Sequence, residues 1–142
     1  MDTSTAPFRP GDLIADDAEL LELATFLAGG ARPRRRTLTV TWLDADDRLL
    51  GLALPIDDVP VRPDGAALVG LGTVLRSVID DEVPGGCAVA VLERPGEAGI
   101  SADDRAWNRD LRDQARVQGV RLRGFFVSAG GQVRPLALDD AD

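Results

Sequence analysis

The chain has 142 residues, a formal net charge of -8, one cysteine and no histidine. All 16 basic residues are arginine, and tyrosine is absent as well. These absences exclude Ser-His-Asp and Cys-His catalysis, histidine-ligated zinc, a lysine Schiff base and a tyrosine acid or base. The length suits one domain around a single core. We expect that domain to span residues 13–138, between an irregular N-terminal arm (1–12) and an acidic tail (139–142), with both ends frayed.

The composition also indicates where the protein works. A single cysteine permits no internal disulfide, and the N-terminus lacks the basic start and apolar core of a signal peptide. No apolar run approaches the roughly 20 residues that span a bilayer. The negative charge opposes non-specific attraction to nucleic acid. The composition, rich in Ala, Gly, Arg and Asp, is typical of a bacterial protein. The sequence therefore predicts a cytoplasmic protein that has no membrane partner and for which binding of nucleic acid is disfavoured.

The first half of the chain predicts a helix followed by a hairpin. A capping-box spacing precedes leucines at helical intervals, so the helix begins at Asp16 or Asp17 and ends at Gly29. From Thr37 to Trp42, threonine alternates with large apolar residues, which is typical of a strand with one buried face. An Asp-rich turn then leads into a second strand, from Leu49 to Leu54.

The second half predicts two helices, a central strand and a closing hairpin. Proline and glycine favour a loop from Asp57 to Gly65, and a helix follows from about Ala66 to Asp80. The run from Cys87 to Leu92 is apolar on both faces, as in a buried central strand. A third helix begins at Ser101. The strands of the closing hairpin are Val120 to Ser128 and Gln132 to Leu138. Helices interleaved with a mixed sheet make a layered α/β domain.

Four aromatic residues are candidates for the core or for a contact surface. Trp42 and Trp107 fall on the apolar sides of their elements and are predicted to anchor the core. Phe125 and Phe126 are adjacent on a strand, so they must point to opposite faces. We expect at least one of these phenylalanines to be exposed or covered by a partner, which is a hint of self-association.

Four short segments carry a resemblance to a known family. They are Leu92-Glu93-Arg94-Pro95-Gly96, Ser101-Ala102-Asp103-Asp104, Gly119-Val120-Arg121-Leu122 and Gly130-Gly131-Gln132-Val133. In this order they resemble bacterial RadC-like proteins of the JAMM/MPN metalloprotease-fold superfamily. There, a buried strand ends in His-x-His-Pro, and a glycine-containing loop, a helix opened by Ser-x-x-Asp, a strand and a hairpin follow. The resemblance covers roughly residues 20–138 and implies a cytidine-deaminase-like (JAMM) fold, a layered mixed β-sheet with flanking helices.

The same resemblance implies a metal site that has lost its ligands. Active members of the family bind zinc through two histidines and an aspartate, activate water with a glutamate and use a serine to stabilise the oxyanion. Here the histidine positions hold Leu92 and Arg94, and the glutamate position falls near Arg36. Only Ser101 and Asp104 remain. Because an aliphatic group has no lone pair and a guanidinium repels a dication, we expect no metal, no cofactor and no catalytic residue.

The two remaining residues have a structural interpretation. A serine at the N-cap with an acid three positions later forms a capping box, which satisfies backbone amides at the start of a helix. Arg94 is expected to form an ion pair with Asp104 across the former metal pocket, in place of zinc. Side chains that point apart would contradict this hypothesis.

Two groups of arginines are candidate docking patches for an acidic protein or a phosphate-bearing ligand. Solvated surface charge is the alternative interpretation. The patch residues are Arg32, Arg34, Arg35 and Arg36 before the first strand, and Arg121 and Arg123 on a later one.

Other candidate sites have simple structural interpretations. Asp44, Asp46 and Asp47 lack the EF-hand pattern and are interpreted as a solvated turn. Cys87 lies within an apolar run, which favours an inert buried thiol over a nucleophile.

The sequence therefore predicts a catalytically inactive RadC/JAMM-like domain that is not an enzyme. It would serve as an interaction or scaffold module, through a protein partner or as a homo-oligomer. One alternative is a metal-independent hydrolase or small-ligand binder that uses the carboxylates of Asp104 and Glu93. A DNA-associated factor is a third possibility, supported by the arginines and by the family name alone.

Overall fold

The computed structural model describes residues 8–29 and 33–137. The elements found in these residues are α1 (Asp17–Ala28), β1 (Thr37–Leu43), β2 (Leu49–Asp57), α2 (Gly65–Glu82), β3 (Cys87–Glu93), α3 (Ala102–Val117), β4 (Arg121–Ala129) and β5 (Gln132–Leu136). The predicted order of helix, hairpin, helix, strand, helix and hairpin is confirmed. Leu138, the predicted end of the last strand, and the acidic tail lie outside the described residues.

The strands form one mixed sheet in the order β2-β1-β3-β4-β5. β3 and β4 are parallel, and the other neighbours are antiparallel. Parallel neighbours need a long crossover, which α3 supplies. The apolar strand β3 lies at the centre of the sheet and is buried from Cys87 to Leu92, as predicted. The α/β class is confirmed.

Apolar residues cover both faces of the sheet. On one face, α2 and α3 pack over the even-numbered residues of β1 and β3, including Trp42 and Leu92, and Trp107 of α3 joins them. On the other face, α1 packs over Val89, Val91 and other residues of the opposite parity. Trp42 and Trp107 are both buried, as predicted. The sheet is therefore the middle layer of the domain.

α2 is helical through both of its internal glycines. Gly72 faces α3, where a Cβ atom would lie 2.8 Å from the Gln114 side chain, so the missing side chain permits close packing of the two helices. α2 is the longest helix in the described part of the chain, yet neither it nor any other described helix combines the length and hydropathy needed to cross a membrane.

The prediction that β1 has only one buried face is wrong. All seven residues of β1 are buried, because the threonines that alternate with its large apolar residues also lie inside the protein. Thr37 Oγ1 donates to Asp57 Oδ1 (2.9 Å), and Thr41 Oγ1 donates to the carbonyl of Leu52 (2.7 Å). These bonds satisfy the hydroxyls of Thr37 and Thr41, so burial of these two groups costs little.

β2 forms the outer edge of the sheet and is longer than predicted. It continues through Pro55 to Asp57, because an edge strand tolerates a residue that cannot donate to a neighbour. The N-terminal arm lies against its first residue. Gly11 N donates to Leu49 O (2.7 Å), and Leu49 N donates to Asp12 O (2.8 Å). The prediction that the arm is frayed is therefore wrong for residues 8–12, which are held against β2.

The adjacent phenylalanines of β4 point to opposite faces, but neither is exposed. Phe125 is 1% exposed in the cluster under α2 and α3, and Phe126 is 3% exposed in the cluster under α1. The expectation that one of them needs a partner chain is wrong, because helices of the same chain cover both.

Candidate functional site

Arg94, Ser101 and Asp104, three of the positions that the resemblance singles out, meet at the carboxyl end of β3. Arg94 directly follows this strand, and a loop leads from it to α3, where Ser101 is the N-cap and Asp104 lies in the first turn. Residues that the sequence places on a strand end, a loop and a helix start are thus brought together by one local connection.

Arg94 and Asp104 form the ion pair that the sequence analysis expects. Arg94 Nε lies 2.9 Å from Asp104 Oδ1 and 3.1 Å from Oδ2, and Nη2 lies 2.9 Å from Oδ2. The edge of the guanidinium that carries Nε and Nη2 therefore faces the two carboxylate oxygens, and this bidentate arrangement is the strongest for such pairs. The Asp104 side chain is fully buried and that of Arg94 is 11% exposed, so water does not screen the pair.

The loop after β3 wraps the rest of the guanidinium. Nη1 donates to the carbonyls of Pro95 (3.2 Å) and Glu97 (3.3 Å), and Nη2 donates to the carbonyl of Gly99 (3.0 Å). Together with Asp104 these oxygens offer an acceptor to each of the five N–H groups of arginine. Arg94 is therefore a buried cation enclosed by oxygen atoms.

Asp104 also takes part in the capping box of α3. Ser101 Oγ accepts from the backbone N–H of Asp104 (3.0 Å), and Asp104 Oδ2 accepts from the backbone N–H of Ser101 (2.9 Å). The predicted capping box is confirmed. One carboxylate thus begins the helix and neutralises Arg94.

Arg36 and Leu92 complete the set of positions that the resemblance singles out. Arg36 directly precedes the pair Thr37–Glu93 in the β1–β3 register, whereas Arg94 directly follows it. Burial lowers the pKa of Arg36, and the charge of Arg94 lowers it further, while Asp104 opposes the shift. Leu92 lies in the core under α2 and α3, two residues before Arg94 on the same face of the strand.

The loop between β2 and α2 closes the site from the side of Arg36. Arg36 Nη2 donates to Val61 O (3.3 Å), and the Trp107 indole donates to the carbonyls of Pro60 (3.2 Å) and Val61 (3.1 Å). Arg36 Nε is buried, and no hydrogen-bond partner for it is found in the described residues. The site is thus packed by its own chain and positively charged on this side.

The buried Asn108 and the half-buried Arg112 are two polar residues of α3 that were not predicted as site residues from the sequence. Arg112 Nε donates to Asn108 Oδ1 (2.7 Å), and Asn108 Nδ2 donates to the carbonyl of Ala137 (2.9 Å), just beyond β5. Asn108 is four residues after Asp104 and one turn before Arg112, so all three lie on one side of α3. This four-residue spacing of polar residues next to Trp107 is the feature of the sequence from which a polar cluster on α3 could have been predicted.

The two arginine patches lie at opposite ends of the sheet. The first group precedes β1, and the second lies at the start of β4. Because β1 is antiparallel and β4 is parallel to β3, these two strands begin at opposite ends of the sheet. Arg123 Nη1 lies 3.0 Å from Asp47 Oδ1, and Arg121 Nη2 lies 4.0 Å from it. At the opposite end of the sheet, Nη1 of the exposed Arg35 lies 3.6 Å from Asp57 Oδ2. Arg34 is exposed, and Arg32 lies outside the described residues.

The predicted aspartate turn is present. Asp44 Oδ1 accepts from the backbone N–H groups of Asp46 (2.8 Å) and Arg48 (3.0 Å), so this carboxylate holds the chain reversal. Cys87 is fully buried, and burial raises the pKa of its thiol above the ordinary 9.0, which suits an inert side chain. In residues 8–29 and 33–137, no three Cys, Asp, Glu or His side chains lie close enough together to hold a metal ion.

Glu93 and Asp104, the two carboxylates of the alternative hydrolase hypothesis, have different partners in the structure. Asp104 is held by Arg94 and Ser101, whereas Glu93 follows Val91 on the α1 face of β3. Burial and the neighbouring charge of Asp57 raise the pKa of Glu93 above its ordinary 4.5. The two carboxyl groups thus belong to different surroundings.

Replacing Glu93 by Gln is expected to stabilise the protein at neutral pH and to leave its stability nearly unchanged near pH 4. The folded state binds the Glu93 proton more tightly than the unfolded chain does, so this group increasingly costs stability as the pH rises above 4.5 and through the raised pKa. Thermal unfolding from pH 4 to 8 measures the difference. Glu97→Gln, at an exposed position, is the control. A stability difference between Glu93→Gln and the wild type that does not vary with pH would contradict the prediction.

Comparison of the sequence with models of protein families and with curated proteins gives no match.

Proposed function

We propose that this chain is a metal-free, catalytically inactive RadC/JAMM-like domain that acts by binding a protein partner or a second copy of itself. In this proposal the Arg94 guanidinium occupies the place where the family holds zinc. The observation that carries it is the closed pair of Arg94 and Asp104, with both carboxylate oxygens and all three guanidinium nitrogens engaged.

The chemistry of the donors supports this proposal. A catalytic zinc site needs about three protein ligands and an open position. Of the three candidate ligand positions, Leu92 has no donor atom, Arg94 carries a positive charge, and Asp104 is fully buried against that charge. These residues do not fit zinc. They fit a neutral ion pair that needs no metal.

The order of the elements also supports it. A hairpin, a helix, a buried strand, a capped helix and a second hairpin follow one another as the resemblance requires, and Ser101 and Asp104 begin the helix after the buried strand. Leu92 and Arg94 point to one face of β3, as two ligands of a single metal ion would have to do.

The sharpest test is to rebuild the lost donors. The double variant Leu92→His/Arg94→His removes the competing guanidinium and places two imidazoles beside Asp104. We expect it to bind zinc stoichiometrically and to show a rise in melting temperature with added zinc, because a ligand that binds only the folded state stabilises it. Metal analysis and a thermal-shift titration measure both effects.

Leu92→Ala/Arg94→Ala is the matched control, since it opens the same space without supplying donors. The wild-type protein is expected to contain no zinc after purification and to show no stabilisation by zinc. Stoichiometric zinc in the wild type would overturn the proposal, as would a folded His/His variant that binds zinc no better than the Ala/Ala variant.

A further inference from the structure

A notch of about 670 Å³ opens at the sheet edge where β5 ends. β5 pairs only with Phe125–Ala129, so the first four residues of β4 have no neighbouring strand on that side. α1 and α3 flank the gap from the two faces of the sheet. The lining includes Leu20, Leu21, Arg112, Arg123, Phe126 and Leu136. Its volume falls within the usual range of small-molecule sites.

Arg112 gives the notch a positive charge that no acid among residues 8–29 and 33–137 neutralises. Within those residues its hydrogen bonds go to neutral oxygens, those of the Asn108 side chain (2.7 Å), the Leu122 carbonyl (3.2 Å) and the Leu136 carbonyl (2.9 Å). No carboxylate of the described part of the chain lies within ion-pair distance of it. Burial lowers the pKa of Arg112, consistent with a cation that has lost water and gained no counterion.

The guanidinium retains donors for a ligand. Each of its two terminal nitrogens carries two hydrogens and makes one of these bonds, so one N–H remains on each. An N–H group on each terminal nitrogen can donate to a carboxylate oxygen. Arg123 also lines the notch and adds a second positive charge, although it is shared with Asp47. The exposed Asp17 lines the notch as well.

The remaining lining is apolar and favours a compact ligand over an added strand. Leu21, which is 36% exposed, and the small exposed parts of Leu20 and Phe126 (3% each) form an apolar lining beside Arg112. The carbonyl of Leu122 lies on the unpaired part of β4 and is already taken by Arg112, so a strand added at this edge would lack one of its acceptors.

We propose that this notch binds a small molecule that carries one carboxylate on an apolar body. The carboxylate would meet the two free N–H groups of Arg112, and the body would contact the leucines of α1 and Phe126. The site is distinct from the pocket of Arg94 and does not depend on the function proposed above. Arg112 lies eight residues beyond Asp104 on α3, about 12 Å along the helix axis.

Octanoate is the probe, titrated into ¹⁵N-labelled protein and followed by NMR. We expect amide shifts confined to Leu20–Leu21, Gly124–Phe126 and Leu136–Ala137. Acetate, which lacks the apolar body, and 1-octanol, which lacks the charge, are each expected to bind at least about tenfold more weakly. No shifts with octanoate, shifts elsewhere only, or equal binding of 1-octanol would overturn the proposal.

Two variants test the contacts. Arg112→Gln is expected to weaken octanoate binding at least about tenfold. Because this change also removes bonds that hold β5, Leu21→Glu provides a second test at an exposed position, where the added charge repels a carboxylate without altering the core. Val117→Glu is its control, an exposed apolar residue at the far end of α3. Octanoate binding unchanged in Leu21→Glu would overturn the proposal.

Discussion

Replacing Asp104 by Ala is expected to lower the free energy of unfolding by about 3–5 kcal/mol. The substitution leaves the buried Arg94 guanidinium without a counterion, and it removes the acceptor for the backbone N–H of Ser101. Since domains of this kind are stable by only about 5–15 kcal/mol in total, the variant should be close to unfolding. Urea denaturation followed by circular dichroism measures the loss.

A double variant separates the ion pair from general packing. Arg94→Met/Asp104→Leu removes both charges while keeping similar volumes, and we expect it to be more stable than Asp104→Ala, because no unpaired charge remains buried. The adjacent Asp103→Ala is the control. Asp103 pairs with the exposed Arg62 at 3.5 Å, so its loss should cost at most about 1 kcal/mol. Equal losses for Asp103→Ala and Asp104→Ala would contradict the importance of the buried pair.

Replacing Gly130 by Ala in the β4–β5 turn is expected to cost about 2–5 kcal/mol. Gly130 has φ +59°, which costs an L-residue about 1–2 kcal/mol. In addition, a Cβ atom would lie 2.3 Å from the backbone nitrogen of Ala98, and such overpacking typically costs about 1–3 kcal/mol. Ala98 belongs to the loop that wraps Arg94, so relief of this clash would disturb the carbonyls around the guanidinium.

Gly131→Ala provides a matched control for that substitution. Gly131 has φ +81°, but no other atom of the described residues lies within 4 Å of the place that a Cβ atom would take, so Gly131→Ala should show the backbone cost alone, about 1–2 kcal/mol. Urea unfolding of the two variants under identical conditions isolates the contact with Ala98. Equal losses would mean that the turn does not press on the loop.

The elements with a strong local pattern could be predicted from the sequence. The two-sided apolar run of β3 and the capped, periodic α3 needed no tertiary information. β1 and β2 were less predictable, because burial of threonine depends on partners such as Asp57 and Leu52, and because tolerance of Pro55 depends on an edge position. Those properties arise only when strands are placed beside one another.

The candidate site divides in the same way. The contact of Arg94 with Asp104 was expected from the resemblance, which places both residues at one pocket, and the short loop between a strand end and the next helix is what brings them together. The carbonyls that surround Arg94 could not, because they depend on a loop path with positive φ at Gly96 and Gly99. The bonds of Arg112 to Leu122 and Leu136 join a helix to two strands far apart in the chain, and no local spacing encodes them.

The double use of Asp104 affects how related sequences should be interpreted. Because its carboxylate begins α3 as well as neutralising Arg94, selection for folding alone is sufficient to preserve it together with Ser101. Finding both residues in a homologue would therefore carry no information about catalytic competence. Under the proposed function the informative positions are 92 and 94, where two histidines would supply donors for a metal and the leucine and arginine of this chain supply none.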